Sequence, residues 1–171
     1  MQLTAEIADG WIPILFIPER ANDVWGSALD AGKAKRSPTL DDMMISAGGP
    51  LAIGEGDEIV ALRELQRSTV ALYVGGMGAK GKNFYNELAI RYGYEKEAAI
   101  IQDFYLAGKK EAEAAVPAEF LELTTLCGPR SYVAERTSAF SEAGVTRLQA
   151  LRLPQAGQTP ASLIEVVKSL I

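Results

Sequence analysis

Apolar residues recur along this chain with two different periods, and the alternation between them predicts an α/β protein. Gln2 to Ala8 has helical spacing and ends at an Asp9-Gly10 turn. Trp11 to Phe16 is a continuous bulky apolar run, the pattern of a strand buried on both faces of a parallel sheet. Pro18 suits a first helical position. Val24, Trp25, Ala28 and Leu29 give the following helix its apolar face as far as Gly32, and Lys33, Lys35 and Arg36 suit its C-terminus. After a loop over Ser37 to Asp42, Met43 to Ile53 reads as a second strand. Gly48-Gly49-Pro50 interrupts it, which predicts a bulge or bend.

A helix starts at Gly56 or Asp57, with Ile59, Leu62 and Leu65 on one face, whereas Thr69 to Val74 fits helix or strand. Gly75 to Gly81 is a glycine-rich loop. From Asn83 to Leu123 the period is helical throughout, broken at Gly93 and Gly108, so about 83–123 reads as a helical insertion. Pro129 opens a helix with Tyr132, Val133 and Phe140 inward, ending at Gly144. Val145 to Leu153 is a third strand, and Thr159-Pro160 starts a last helix with Leu163, Ile164, Val167 and Leu170 on one face. Such an order implies parallel strands joined by right-handed crossovers. Three strands do not close a barrel, which takes eight strands and about 250 residues. The first strand has the character of a central strand yet opens the chain, so the fold reads as one entered part-way.

Composition narrows the chemistry. The 171 residues are 48% apolar, enough for a core. The net charge is −5 with dispersed basic residues, so nothing points to nucleic acid. No apolar run approaches the roughly 20 residues of a membrane span, and no signal peptide is visible; a cytoplasmic protein is expected. Histidine is absent, which removes Ser-His-Asp and Cys-His nucleophile pairs and most catalytic zinc sites. Cys127, the single cysteine, is expected to be a buried structural thiol. An enzyme on this chain would rely on carboxylates, Lys, Tyr or a cofactor. Glu55 and Asp57, just after the second strand, are candidates for acid–base work, although Asp57 is expected rather to cap the next helix.

Gly76-Met77-Gly78-Ala79-Lys80-Gly81-Lys82-Asn83 nearly matches the phosphate loop of nucleotide triphosphatases. Asn83 stands where that motif needs a Ser or Thr for magnesium, and no apolar strand ending in Asp follows. A nucleotide-binding enzyme is therefore a minor alternative.

A resemblance carries further. Ala8-Asp9-Gly10-Trp11-Ile12-Pro13 before a Pro-started helix resembles the luciferase-like flavin and deazaflavin oxidoreductases. So do Ala71-Leu72-Tyr73-Val74-Gly75-Gly76-Met77-Gly78 and Gly81-Lys82-Asn83-Phe84-Tyr85-Asn86. The central glycine and Asn-Phe-Tyr-Asn stretch is similar to their branch using coenzyme F420. Leu126-Cys127-Gly128-Pro129, Tyr132 to Arg136 and Phe140 to Gly144 resemble the family's helix before its last barrel strand. The resemblance covers residues 1–171 and implies the C-terminal half of a TIM (β/α) barrel, about strands six to eight with a helical insertion.

It also implies hydride transfer or monooxygenation with coenzyme F420, or alternatively FMN, on a small-molecule substrate. The implied cofactor-binding residues are Ile14 and Leu15 through their backbone, Gly75 and Gly76 in the loop, and Lys80, Lys82 and Arg152 toward anionic groups. Tyr85 and Asn86 are the implied substrate contacts. No metal site or catalytic residue is implied. The missing strands imply an N-terminal half-barrel or a homo-oligomer as partner. The competing expectation is a non-catalytic half-barrel that acts as an interaction module through uncovered strand edges.

Overall fold

The computed structural model describes residues 1–155 and 157–170. The chain forms two compact units, Met1–Glu55 with the chain from Thr124 onward, and Gly56–Leu123. The helical body therefore begins at residue 56 rather than at about 83.

The first unit is built on a parallel sheet. Its strands are β1 (Gly10–Trp11), β2 (Met44–Ile53), β3 (Leu126–Gly128) and β4 (Arg147–Arg152). Every pairing is parallel, and β2 is the hub. Met44 and Ile45 pair with β1, Ser46 to Leu51 with β4, and Leu51 to Ile53 with β3. The expected alternation of strand and helix thus stands, with two corrections. The Trp11–Phe16 strand shrinks to Gly10–Trp11, because Pro13 has no N–H for a ladder and Leu15 turns to a left-handed φ of 56°. The expectation of three strands missed β3, whose three residues are too few to show a period.

The bulge or bend expected at Gly48-Gly49-Pro50 does not form, since β2 runs unbroken and pairs one-to-one with β4 from Ser46 to Leu51; the glycines serve close approach instead. A Cβ on Gly48 would lie 2.0 Å from the Gln149 carbonyl oxygen, and one on Gly49 would lie 2.4 Å from that of Thr124. Neighbouring backbones close in on β2 at both glycines, which larger residues would prevent.

Helices cover the sheet. Pro18 opens α2 (Pro18–Ala21), which passes through a π-helical turn at Asn22–Gly26 into α3 (Ser27–Lys33). This segment buries Val24 and Trp25, with Trp25 stacked on Phe16 at 5.3 Å and Phe16 in turn on Phe140 of α10 (Arg130–Glu142) at 5.8 Å. Arg136 of α10 is 4% exposed, ion-pairs with Glu19, and lies over the Phe140 ring. The first helix, α1 (Gln2–Ile7), crosses α3 so closely that a Cβ on Gly32 would lie 2.2 Å from the Gln2 carbonyl oxygen. Cys127 is fully buried with its Sγ 3.4 Å from the Pro50 carbonyl oxygen. After β4, α11 (Pro160–Lys168) starts with a capping box between Thr159 and Ser162. On β4, Leu151 is 61% exposed, although strands of parallel sheets are normally covered on both faces.

The second unit is helical: α4 (Asp57–Glu64), α5 (Arg67–Ala71), α6 (Phe84–Arg91), α7 (Glu95–Leu106), α8 (Glu111–Ala114) and α9 (Ala118–Leu123). Thr69 to Val74 is helical, with a π-turn at Leu72–Gly76 continuing α5. Phe120 of α9 anchors the core against the rings of Tyr92 and Tyr94. Among the described residues, no helix is long and apolar enough to cross a membrane.

Candidate functional site

β2, β3 and β4 run parallel and end side by side, Gly128 opposite Ile53 and Arg152 opposite Leu51, so their C-terminal ends share one rim, and in β/α folds that rim carries the active site; β1 ends lower, with Trp11 opposite Ile45. Three predicted residues belong to this unit. Ile14 is 42% exposed just past β1. Leu15 follows with its left-handed φ, a conformation costing about 1–2 kcal/mol for a side chain of this kind. Such strain concentrates where backbone must be aimed. Arg152 ends β4, and its Nη2 donates to the Gln158 carbonyl oxygen at 3.3 Å.

Two residues that sequence reasoning missed shape the same rim. The side chain of Gln155 imitates a strand: its Oε1 accepts from the Ile53 N–H at 3.0 Å, and its Nε2 donates to the Ile53 carbonyl oxygen at 3.3 Å. Gln158 Nε2 donates to the same carbonyl at 3.4 Å, while its Oε1 is buried with no partner among the described residues. No local sequence signal marks either glutamine, since each acts through a partner about 100 residues away. Glu55 follows the β2 end and is exposed.

The other predicted residues lie in the helical unit. Gly75 and Gly76 close its π-turn, where an added Cβ would lie 2.5 Å from the Tyr105 Cβ and 2.3 Å from its ring, respectively. Lys80 is exposed and ion-paired with Asp103. Lys82 is exposed and forms no ion pair among the described residues. The Tyr85 ring meets Tyr73 edge-on at 4.7 Å and Phe84 at 5.3 Å. Burial, with a smaller contribution from Tyr73, pushes the Tyr85 hydroxyl above the ordinary tyrosine value, so it stays a neutral hydroxyl into alkaline solution.

Asn86 departs from its expected role. It is 8% exposed, and its Nδ2 donates to the carbonyl oxygens of Val74 at 3.0 Å and Ala98 at 2.8 Å. Its amide is committed to holding backbone, so the geometry assigns it to packing rather than to substrate. Asp57 opens α4 without a side-chain cap; the N-cap is Gly56 at φ 79°. A phosphate loop also needs a strand before its glycines, and helix stands there instead. Gly76 to Asn83 therefore forms no phosphate loop of that kind.

A cleft of about 730 Å³ lies elsewhere in the first unit, among α2, α3, α10 and the opening residues of β2. It holds none of the predicted residues and sits toward the N-terminal ends of the strands, away from the catalytic rim of such folds. Its size alone assigns it no chemistry. Among the described residues, no His, Cys, Asp and Glu cluster suits a metal ion.

The comparisons with known proteins agree with the parallel fold. A family model described as luciferase-like monooxygenase matches residues 1–147. The chain belongs to the luciferase-like family. A putative coenzyme F420-dependent oxidoreductase of Mycobacterium tuberculosis is 31% identical over 149 residues, covering 85% of this chain and 42% of that protein. The coenzyme F420-dependent tetrahydromethanopterin reductase of Methanopyrus kandleri superposes with a TM-score of 0.64 over 99% of this chain and 46% of its own. At 21% identity that likeness shows the fold alone. The luciferase-like chain described here spans less than half the length of both relatives.

Proposed function

We propose that this chain forms the C-terminal strands of a barrel oxidoreductase that uses coenzyme F420 for hydride transfer to or from a small-molecule substrate. The carrying observation is the parallel β2-β3-β4 arrangement in a luciferase-like chain, which gathers three strand ends at one rim. The curated relative named for F420 supports the choice of cofactor. The rim fits an anionic, amide-rich ring system in two respects: Arg152 offers a cation, and Gln158 Oε1 is a buried acceptor awaiting a donor.

When bound, F420 supplies the hydride-carrying ring, so the protein's task is binding and orientation. Ile14 and Leu15 would offer backbone groups, the second held by its left-handed turn. Arg152, Lys80 and Lys82 would meet anionic groups, with Lys80 first leaving Asp103. Gly75 and Gly76 would shape the loop that presents the lysines. Tyr85 would offer a protonated hydroxyl to substrate. The exposed β4 and the exposed Ile12 and Ile14 fit a partner that completes the barrel, either an N-terminal half or a second copy.

The test is a fluorescence titration of F420 against the chain alone and against the chain joined to an N-terminal half from the mycobacterial relative. Saturable binding that requires the N-terminal half is expected. Absence of binding in both would reject the cofactor assignment.

A further inference from the structure

We infer that Asn83, with Asn86 and Gln102, is a positioning residue that fixes the loop from Met77 to Lys82, so that Lys82 is presented to an anionic group of the ligand. The inference rests on the F420 reading for its ligand, but the clamp itself stands on geometry.

The π-turn at Leu72–Gly76 breaks the regular helical ladder and leaves carbonyls in need of donors. Buried side-chain amides answer them. Asn83 is 1% exposed, and its Nδ2 donates to the carbonyl oxygens of Tyr73 and Val74, each at 3.0 Å. Its Oδ1 accepts from the backbone N–H groups of Tyr85 at 2.9 Å and Asn86 at 3.2 Å, capping α6. One side chain therefore ties the end of the π-turn to the start of the next helix, and the six intervening residues must close as a loop. Asn86 adds a second donor to Val74. Gln102 of α7, 4% exposed, reaches the Gly78 carbonyl oxygen at 3.4 Å. Within the loop, the Lys82 N–H donates to the Ala79 carbonyl oxygen at 2.9 Å.

Three buried carboxamides are a large polar investment for a helical hairpin, because each must be fully matched to be tolerated. A flexible glycine linker would have joined α5 to α6 without them. What they achieve is a loop in a single conformation with two lysines of unlike state. Asp103, next to Gln102 on α7, ties Lys80 down. Lys82 stays exposed with no ion pair among the described residues. A preorganised cation binds an anion without first paying for the ordering of its loop.

The experiment uses Asn83→Ser, which keeps a good helix cap but removes the donating amide. Hydrogen exchange should show the Lys82 amide exchanging at least tenfold faster, with the amides of β2 and β4 unchanged. Unchanged exchange at Lys82 overturns the clamp. F420 titration of the assembled protein then tests its purpose. Lys82→Ala should weaken binding about tenfold, the scale of one hydrogen bond to a charged group. Asn83→Ser should weaken it comparably, and the double substitution should be little worse than either alone. Additive losses overturn positioning, because a merely structural asparagine would not couple to the ammonium. If Asn83→Ser does not fold, Gln102→Leu takes its place in both assays. If the assembled protein with no substitution binds no F420, the cofactor reading and the anionic ligand fall together, while exchange still decides the clamp.

Discussion

Gly48 shows how much one residue can carry. At φ 153° its missing Cβ leaves room for the Gln149 carbonyl oxygen of β4, which would otherwise be met at 2.0 Å. Backbone cannot step aside as a side chain tip can, so Gly48→Ala should lose more than about 3 kcal/mol in denaturant unfolding. Tyr85 makes a gentler case, with a definite sign. Its hydroxyl is raised above the ordinary value chiefly by burial, so the folded state holds the proton more tightly than the unfolded chain. That contribution is fully present below about pH 10 and is lost as pH rises through the raised value. Stability should therefore fall in the alkaline range less steeply for Tyr85→Phe than for the unsubstituted chain, as read from unfolding midpoints across pH. Equal slopes would show that burial does not protect this hydroxyl.

Elements differ in how openly the sequence announces them. The crossing of α1 and α3 depends on Ala5, fully buried, and on Gly32, whose Cβ would approach the Gln2 carbonyl oxygen to 2.2 Å and the Ala5 Cβ to 2.6 Å. Gly32→Val should lift α1 off and cost about 2–4 kcal/mol, with a lowered Tm and faster exchange confined to Gln2–Ile7. The amphipathic periods of α3, α10 and α11 were legible because burial repeats every turn over several turns. β2 was legible from its apolar run, while its glycines misled, because they admit neighbouring backbone rather than break the strand. β3 was not, since its three residues pair with β2 from more than seventy positions away. The overreach at Trp11–Phe16 has a local cause: apolar character persisted past the point where Pro13 and Leu15 end the pairing. The candidate site divides the same way. The basic residues and Tyr85 stood out by type, whereas Asn83 stood out only as the residue that spoils a phosphate-loop match, although Asn is a favoured N-cap. Gln155 and Gln158 did not stand out, because their partner Ile53 is close only in the folded sheet.

At the scale of the whole molecule, the sheet of the first unit is the unresolved demand. Parallel strands are stable when both faces and both edges are occupied. Here β4 pairs with β2 and with no other strand among the described residues. Four of its six residues are exposed, and Leu151 is exposed by 61%. Ile12 and Ile14 add apolar surface beyond β1, exposed by 62% and 42%. In a family whose relatives run to more than twice this length, such surface fits the contacts of a closed barrel. The chain taken alone should therefore self-associate as concentration rises, through the β4 edge. Leu151→Lys places a charge on that edge without disturbing a buried contact. Sedimentation velocity should show the substituted chain shifting toward monomer, while its thermal midpoint stays within about 2 °C, since an exposed substitution costs within roughly 0.5 kcal/mol. A monomeric chain without the substitution at high concentration would mean that β4 tolerates water, and the case for a barrel-completing partner would lose its physical basis. Persistent association of Leu151→Lys would instead move the contact to the Ile12 and Ile14 side, where Ile12→Lys tests it in the same assay.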